Sequence, residues 1–417
     1  MTTTRTAPPA IDARRWPDVA QVPHHPARAR FARLLTRHAL GGLPLRVTLP
    51  DGTWFGAGTG DDPGLTLVRP DDFYHRLGAG GLIGFGESYM AGDWESAELA
   101  GLLTVLAGRV SSLVPPALQR LRRVVLRARP AEQDNTLTGA RANIGRHYDL
   151  SNELFALFLD PSLSYSSALF AAGPAAESLL TAQHRKIDRI LDLAGVTAGT
   201  RLLEIGTGWG ELAIRAASRG AQVTTVTIST EQATLARQRI AAAGWAGRVS
   251  VRLQDYREIE GEFDAVVSVE MIEAVGAEHW PDYFGRIARL LRPGGRAGVQ
   301  AITMPHDRML ASRNTYTWIV KYIFPGGELP SVRAVREQAT AAGLRADDGL
   351  GMGRHYAETL RRWRARFEAA AAEVDALGFD EVFRRMWSLY LAYSEAGFAS
   401  GYLDVRQFCL TRPGDSG

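Results

Sequence analysis

The chain has 417 residues, 46% of them hydrophobic and 22% charged, with a formal net charge of +3. That is enough chain for two or three folded domains of ordinary soluble composition. A lone Cys409 excludes an intrachain disulfide framework and a cysteine-ligated zinc site, and no apolar run reaches the roughly 18 residues of a transmembrane helix.

Residues 1–28 are rich in Pro, Arg and Ala and are expected to form a mobile arm without the apolar core of an export signal. A cytoplasmic protein is therefore expected. Residues 29–128 are expected to form a small mixed α/β domain. In it "LPDGTW" signals a hairpin turn, and "GAGGLIGFGESYMAGDW" reads as glycine-punctuated strands and loops. Its end, "PALQRLRRVVLRA" (116–128), is a basic amphipathic helix suited either to anionic lipid or to a solvated position between domains. A polar linker over 129–144 follows.

From 145 to 417 the rhythm changes. The helix "ESLLTAQHRKIDRILDLAG" leads to the strand "TRLLEI", a helix at 211–219, the strand "QVTTVTIS", a helix at 231–243, and the strands "VSVRLQDY" and "FDAVVSVE". The helix "WPDYFGRIARLLRPGG" and the strand "RAGVQAITM" complete the series. Such alternation predicts a mostly parallel, doubly wound α/β sheet.

Ligands of such sheets sit beyond the carboxyl ends of the strands. There "LLEIGTGWG" places Glu204 before Gly206, Gly208 and Gly210, which open a helix. The glycines permit a tight turn and close approach of a ligand to bare backbone. An acid two residues before the first glycine suits a cationic ligand, which favours S-adenosylmethionine over a nicotinamide cofactor or a structural turn. The second strand ends in Thr227 and Ile228, with Gln232 able to bond a ribose or the amino-acid end of the ligand, while Glu231 reads as a solvated residue of the next helix's first turn. Asp255 and Tyr256 stand where an adenine is held. The fourth strand runs straight into two acids, Glu270 and Glu273, in "VVSVEMIEAVG".

The strings "HYDLSNELFALFLDPSLSYSSALF" (147–170), "LLEIGTGWGELA", "LQDYRE", "MIEAVG", "KYIFPGGELP" and "GYLDVRQF" resemble the cyclopropane-fatty-acid synthase family, and "GFGESYMAGDWES" resembles that family's amino-terminal lipid-binding domain. The resemblance implies a class I methyltransferase that acts on unsaturated acyl chains of phospholipids. It further implies that Tyr165 and Ser166 close over the cofactor, and that Glu273 holds a bicarbonate ion serving as base. Tyr390 in "SLYLAYSEAGF" and the Ile302 backbone would add contacts to that ion. Three positions depart from the family's best-known pattern: Ser167 stands for a cysteine, and Ala274 and Gln300 stand for histidines. Ser167 and Gln300 can still hydrogen-bond an anion.

An alkene that attacks a methyl donor becomes a carbocation, so the site needs a dry slot, aromatic faces and a base. Proton loss then decides between a cyclopropane ring and a methylene branch; the rearranged base site favours the branch, which a separate reductase would saturate. The partners expected are an acyl chain at the inner face of the cell membrane and that reductase, with a homodimer left open. Two rival readings are a methyltransferase for a small polar acceptor and a non-catalytic lipid-binding protein. No basic stripe interleaved with aromatics suggests nucleic acid.

Overall fold

The computed structural model describes residues 9–109, 151–171, 177–313 and 315–414. The expected basic helix at 116–128, the linker at 129–144 and the "HYDL" of the family motif lie outside the described residues. The chain divides into two compact units: 1–127 with 316–321 and 360–400, and 128–315 with 322–359 and 401–417.

In the first unit, α1 (Pro17–Ala20) and α2 (Pro26–Leu40) precede β1 (Arg46–Thr48). The arm expected to be mobile is anchored over its described part. Val19 is buried, and the Arg76 guanidinium donates to the carbonyls of Asp18, Val19 and Gln21 at 2.7–3.2 Å. "LPDGTW" makes the expected hairpin to β2 (Trp54–Phe55), with Val47 opposite Phe55 and the Asp51 carboxylate accepting from Thr53. Strands β3 (Gly64–Leu67) and β4 (Trp94–Glu95) complete a four-stranded sheet.

The glycine-rich stretch departs from expectation, for it folds as α3 (Pro70–Gly80) and α4 (Leu82–Met90), broken only at Gly81 with φ +56°. Gly92 makes the expected turn, at φ +77°, but Gly84 and Gly86 serve close packing. A Cβ on Gly84 would lie 1.9 Å from the Arg76 carbonyl oxygen, and one on Gly86 would lie 2.3 Å from the Trp318 ring. The long helix Glu381–Ala399 packs on α4 and on α5 (Leu99–Gly108). Residues 360–400, placed with the catalytic domain by sequence, thus group with this unit.

The second unit holds α6 (Asn152–Phe158), α7 (Leu179–Leu193), β5 (Arg201–Ile205), α8 (Glu211–Ser218), β6 (Gln222–Thr227), α9 (Thr230–Ala242), β7 (Val249–Leu253), β8 (Phe263–Val269), α10 (Trp280–Leu290) and β9 (Leu291–Thr303). After α11 (Val332–Ala341) come β10 (Arg345–Ala346), β11 (Leu350–Gly351) and β12 (Asp404–Thr411). The sheet order is β10-β12-β9-β8-β5-β6-β7, parallel from β9 to β7, with β12 antiparallel to β9. Near-continuous apolar runs such as Leu202–Ile205 and Ala265–Val267 suit strands covered on both faces. Phe284 and Ile287 of α10 seal one face, and Leu191, Ala213 and Ala217 of α7 and α8 seal the other. The antiparallel register of β12 sets Gln407 directly opposite Gln300.

Candidate active site

A cleft opens beyond the carboxyl ends of β5, β6 and β8. Its lining includes Tyr165, Ser166, Lys186, Glu204, Gly206, Gly208, Thr227, Ile228, Gln232, Asp255, Tyr256 and Glu270. All ten expected cofactor residues thus meet there. Gly206, Gly208 and Gly210 have φ of +97°, +50° and +90°, the left-handed region glycine enters without penalty. A Cβ on Gly206 would strike Met271, whereas one on Gly208 would project into open space.

Glu204, next to the end of β5, is almost wholly buried, and its Oε2 has no hydrogen-bond partner among the described residues. Burial pushes its carboxyl up to about 8, with nearby Lys186 opposing the shift. A bare buried acceptor beside an open glycine cradle is what a cationic ligand would satisfy. Thr227 Oγ1 donates to Gln232 Oε1 at 2.9 Å, which orients that amide, and Glu231 is an exposed first-turn residue, as expected. Asp255 is already engaged by Arg257, whose Nε and Nη2 donate to it at 2.9 and 2.7 Å. The Tyr165 ring packs edge-on against Phe155 at 5.1 Å.

Two basic residues organise this cleft. Arg239 on α9 donates to the carbonyls of Pro161, Ser162 and Trp209 and to Glu211, tying the "PSLSYSS" segment to the glycine loop and α8. Lys186 is buried on α7, and its Nζ donates to Ser166 Oγ at 2.7 Å. Desolvation lowers its ammonium to about 8, opposed by Glu270, Asp160 and Glu204. No motif in the sequence points to either of them as a site residue. Lys186 carried a signal all the same, since a chain this rich in arginine contains only two lysines.

Of the four expected catalytic residues, Ser167 and Gln300 gather on Glu270 rather than on Glu273. Ser167 N–H and Gln300 Nε2 both donate to Glu270 Oε1, at 2.9 and 2.7 Å. The tyrosine on that acid is Tyr356, whose hydroxyl donates to Oε2 at 2.7 Å. Tyr390 lies on the helix Glu381–Ala399, in the other unit, edge-on to Trp387. Ser167 Oγ donates to the Ala168 carbonyl. The Ile302 N–H, expected on an ion, donates instead to Glu273 Oε1 at 2.5 Å, while Glu273 Oε2 is enclosed with no partner among the described residues. Burial, and then the charge of Glu270, push the Glu273 carboxyl up to about 8. Glu270 is also raised by burial, opposed by its three donors and by Lys186.

The family model for mycolic acid cyclopropane synthetase matches residues 135–408. The tuberculostearic acid methyltransferase UfaA1 of Mycobacterium tuberculosis is 55% identical over 421 residues, covering 99% of each chain. The cyclopropane-fatty-acyl-phospholipid synthase of Escherichia coli is 34% identical over 386 residues, covering 89% of this chain and 97% of that one. Among solved structures, the mycolic acid cyclopropane synthase CmaA1 complexed with SAH and CTAB superposes with a TM-score of 0.60 at 34% identity, over 65% of this chain and 98% of that one. With a glycine-loop cleft at the switch of a doubly wound sheet and a family match across most of its length, the chain belongs to the mycolic acid cyclopropane synthetase family of class I methyltransferases.

Proposed function

We propose that the chain transfers a methyl group from S-adenosylmethionine to the double bond of an unsaturated phospholipid acyl chain and yields a methylene branch. The observation that carries this reading is the meeting in one cleft of an open glycine cradle, a bare buried carboxylate oxygen on Glu204, and the hydrogen-bonded acid Glu270. The relative named for tuberculostearic acid supports the substrate class.

When bound, S-adenosylmethionine supplies an electrophilic methyl group on a cationic sulfonium. Glu204 would bond the amino group of the ligand, and the Gly206–Gly210 backbone would lie against the adenosine. Gln232 and Thr227 would take the ribose side, with Tyr256 and the Asp255–Arg257 pair flanking the base. Tyr165 and Ser166 would cover the ligand, held down by Arg239 and Lys186. Positive charge developing on the acyl chain would be stabilised by the Glu270 carboxylate and by the aromatic faces of a water-poor site.

Product identity follows from the proton lost. If a hydrogen first moves with its electron pair onto the cationic carbon, the charge comes to lie beside the added methyl. Loss of a methyl proton then forms an exocyclic methylene. Loss of that proton before the shift closes a cyclopropane. A bicarbonate ion does not fit the residues present: the Ser167, Gln300 and Ile302 donors are all taken by protein carboxylates. A reductase acting on an exocyclic alkene would consume the product. No helix among the described residues is long and apolar enough to cross a membrane, and substrate access on this reading is from the membrane surface.

The test is incubation of purified protein with S-adenosylmethionine and an oleoyl phospholipid. A gain of one methylene unit with olefinic exomethylene proton signals is expected. High-field cyclopropyl signals would move the reading to ring formation, and unchanged mass with no cofactor binding by calorimetry would leave a non-catalytic lipid-binding protein.

A further inference from the structure

Three donors converge on one carboxylate in the wall of the cleft: Ser167 N–H and Gln300 Nε2 on Glu270 Oε1, and the Tyr356 hydroxyl on Oε2. Positions 167 and 300 are two from which the family resemblance draws the ligands of a bicarbonate ion. Here the group they hold is a side chain of the chain itself. Gln300 is not free to turn toward an ion, because its Oε1 accepts from Gln407 Nε2 at 2.9 Å. Gln407 is in turn fixed by Arg189, at 2.6 Å, and by the carbonyl of Lys186, at 3.0 Å.

The backbone supplies an independent observation. Glu270 has φ +51°, one of three non-glycine residues with positive φ among those described. That left-handed conformation is strained for a residue with a side chain, and such strain gathers at functional sites. Here it sets the carboxylate on its three donors. The buried ammonium of Lys186 lies close enough to favour the ionised form. Glu273 has its Oε1 on the Ile302 N–H and its Oε2 enclosed.

We infer that Glu270 is the general base of this enzyme, a built-in carboxylate standing where relatives would hold an ion. The inference rests on the methyl-transfer reading above. In the step assigned to it, a C–H bond of the added methyl breaks and its electron pair becomes the new carbon–carbon double bond. The proton goes to Glu270 Oε2, which accepts one hydrogen bond where Oε1 accepts two. No co-reactant is required.

The experiment compares wild type, E270Q and E270G in buffer stripped of carbon dioxide, with and without added bicarbonate or formate. Wild-type turnover should not respond to either anion. E270Q should lose about a hundredfold or more in kcat while its affinity for S-adenosylmethionine stays within about threefold. E270G suits the positive φ and leaves the three donors around an empty space, so formate or bicarbonate should restore part of its turnover. Stimulation of the wild type by bicarbonate of about tenfold, or an E270Q kcat within about threefold of wild type, would overturn the assignment. Anion titration by calorimetry reads the same site without catalysis. Formate binding to E270G alone supports the inference, and bicarbonate binding to the wild type contradicts it. If the wild type forms no product, the methyl-transfer reading fails by itself and the calorimetric comparison still decides what occupies the donors.

Discussion

Replacing Glu273 by Gln isolates the cost of a buried acid. Its carboxyl is raised from an ordinary 4.5 to about 8, so between those pH values the folded protein keeps a proton that the unfolded chain has released. Stability relative to a neutral side chain of the same shape is therefore intact below pH 4.5 and is lost as pH rises toward 8. At 1.36 kcal/mol per pK unit the penalty is about 1 kcal/mol at pH 5 and about 3 kcal/mol at pH 7. An amide oxygen can still accept from the Ile302 N–H. E273Q should thus match wild type closely near pH 5 and exceed its stability increasingly toward neutrality, as read by urea denaturation at several pH values. A stability difference that does not change with pH would refute the reasoning, because it would mean that Glu273 titrates normally.

Other perturbations separate cradle, clamp and scaffold. G208A should fold with only the left-handed cost of about 1 kcal/mol but lose cofactor affinity, since its Cβ enters the open cradle. G206A should also destabilise the fold through Met271; calorimetry and thermal melting together distinguish the two. R239M removes donors to three carbonyls and to Glu211 and should weaken cofactor binding about tenfold, with faster proteolysis of the 161–166 segment. G84A should destabilise the first unit by about 3 kcal/mol, because its Cβ would meet the Arg76 carbonyl at 1.9 Å; equal denaturation midpoints would contradict that packing.

Local rules read the second unit well because a sheet covered on both faces writes itself as apolar runs, and a glycine loop after a strand has few structural meanings. They misread the first unit's glycines. Gly84 and Gly86 look like turn residues until Arg76 and Trp318, distant in sequence, arrive against them. The arm looked mobile because nothing in residues 9–28 announces that Arg76 will collect three of its carbonyls. At the site, spacing alone could not tell which of Glu270 and Glu273 would be held by Ser167 and Gln300. That depends on a left-handed turn at Glu270 and on the register of β12, which locks Gln300 through Gln407. Tyr356 and Tyr390 are likewise indistinguishable as residue types, and only the fold brings Tyr356 onto an acid.

The most direct test of methyl transfer to an alkene is mass spectrometry with proton NMR of an oleoyl phospholipid after incubation with the purified protein and S-adenosylmethionine. The account predicts a lipid heavier by one methylene unit that carries an exocyclic alkene. A lipid of unchanged mass, from protein shown to bind the cofactor, would contradict it.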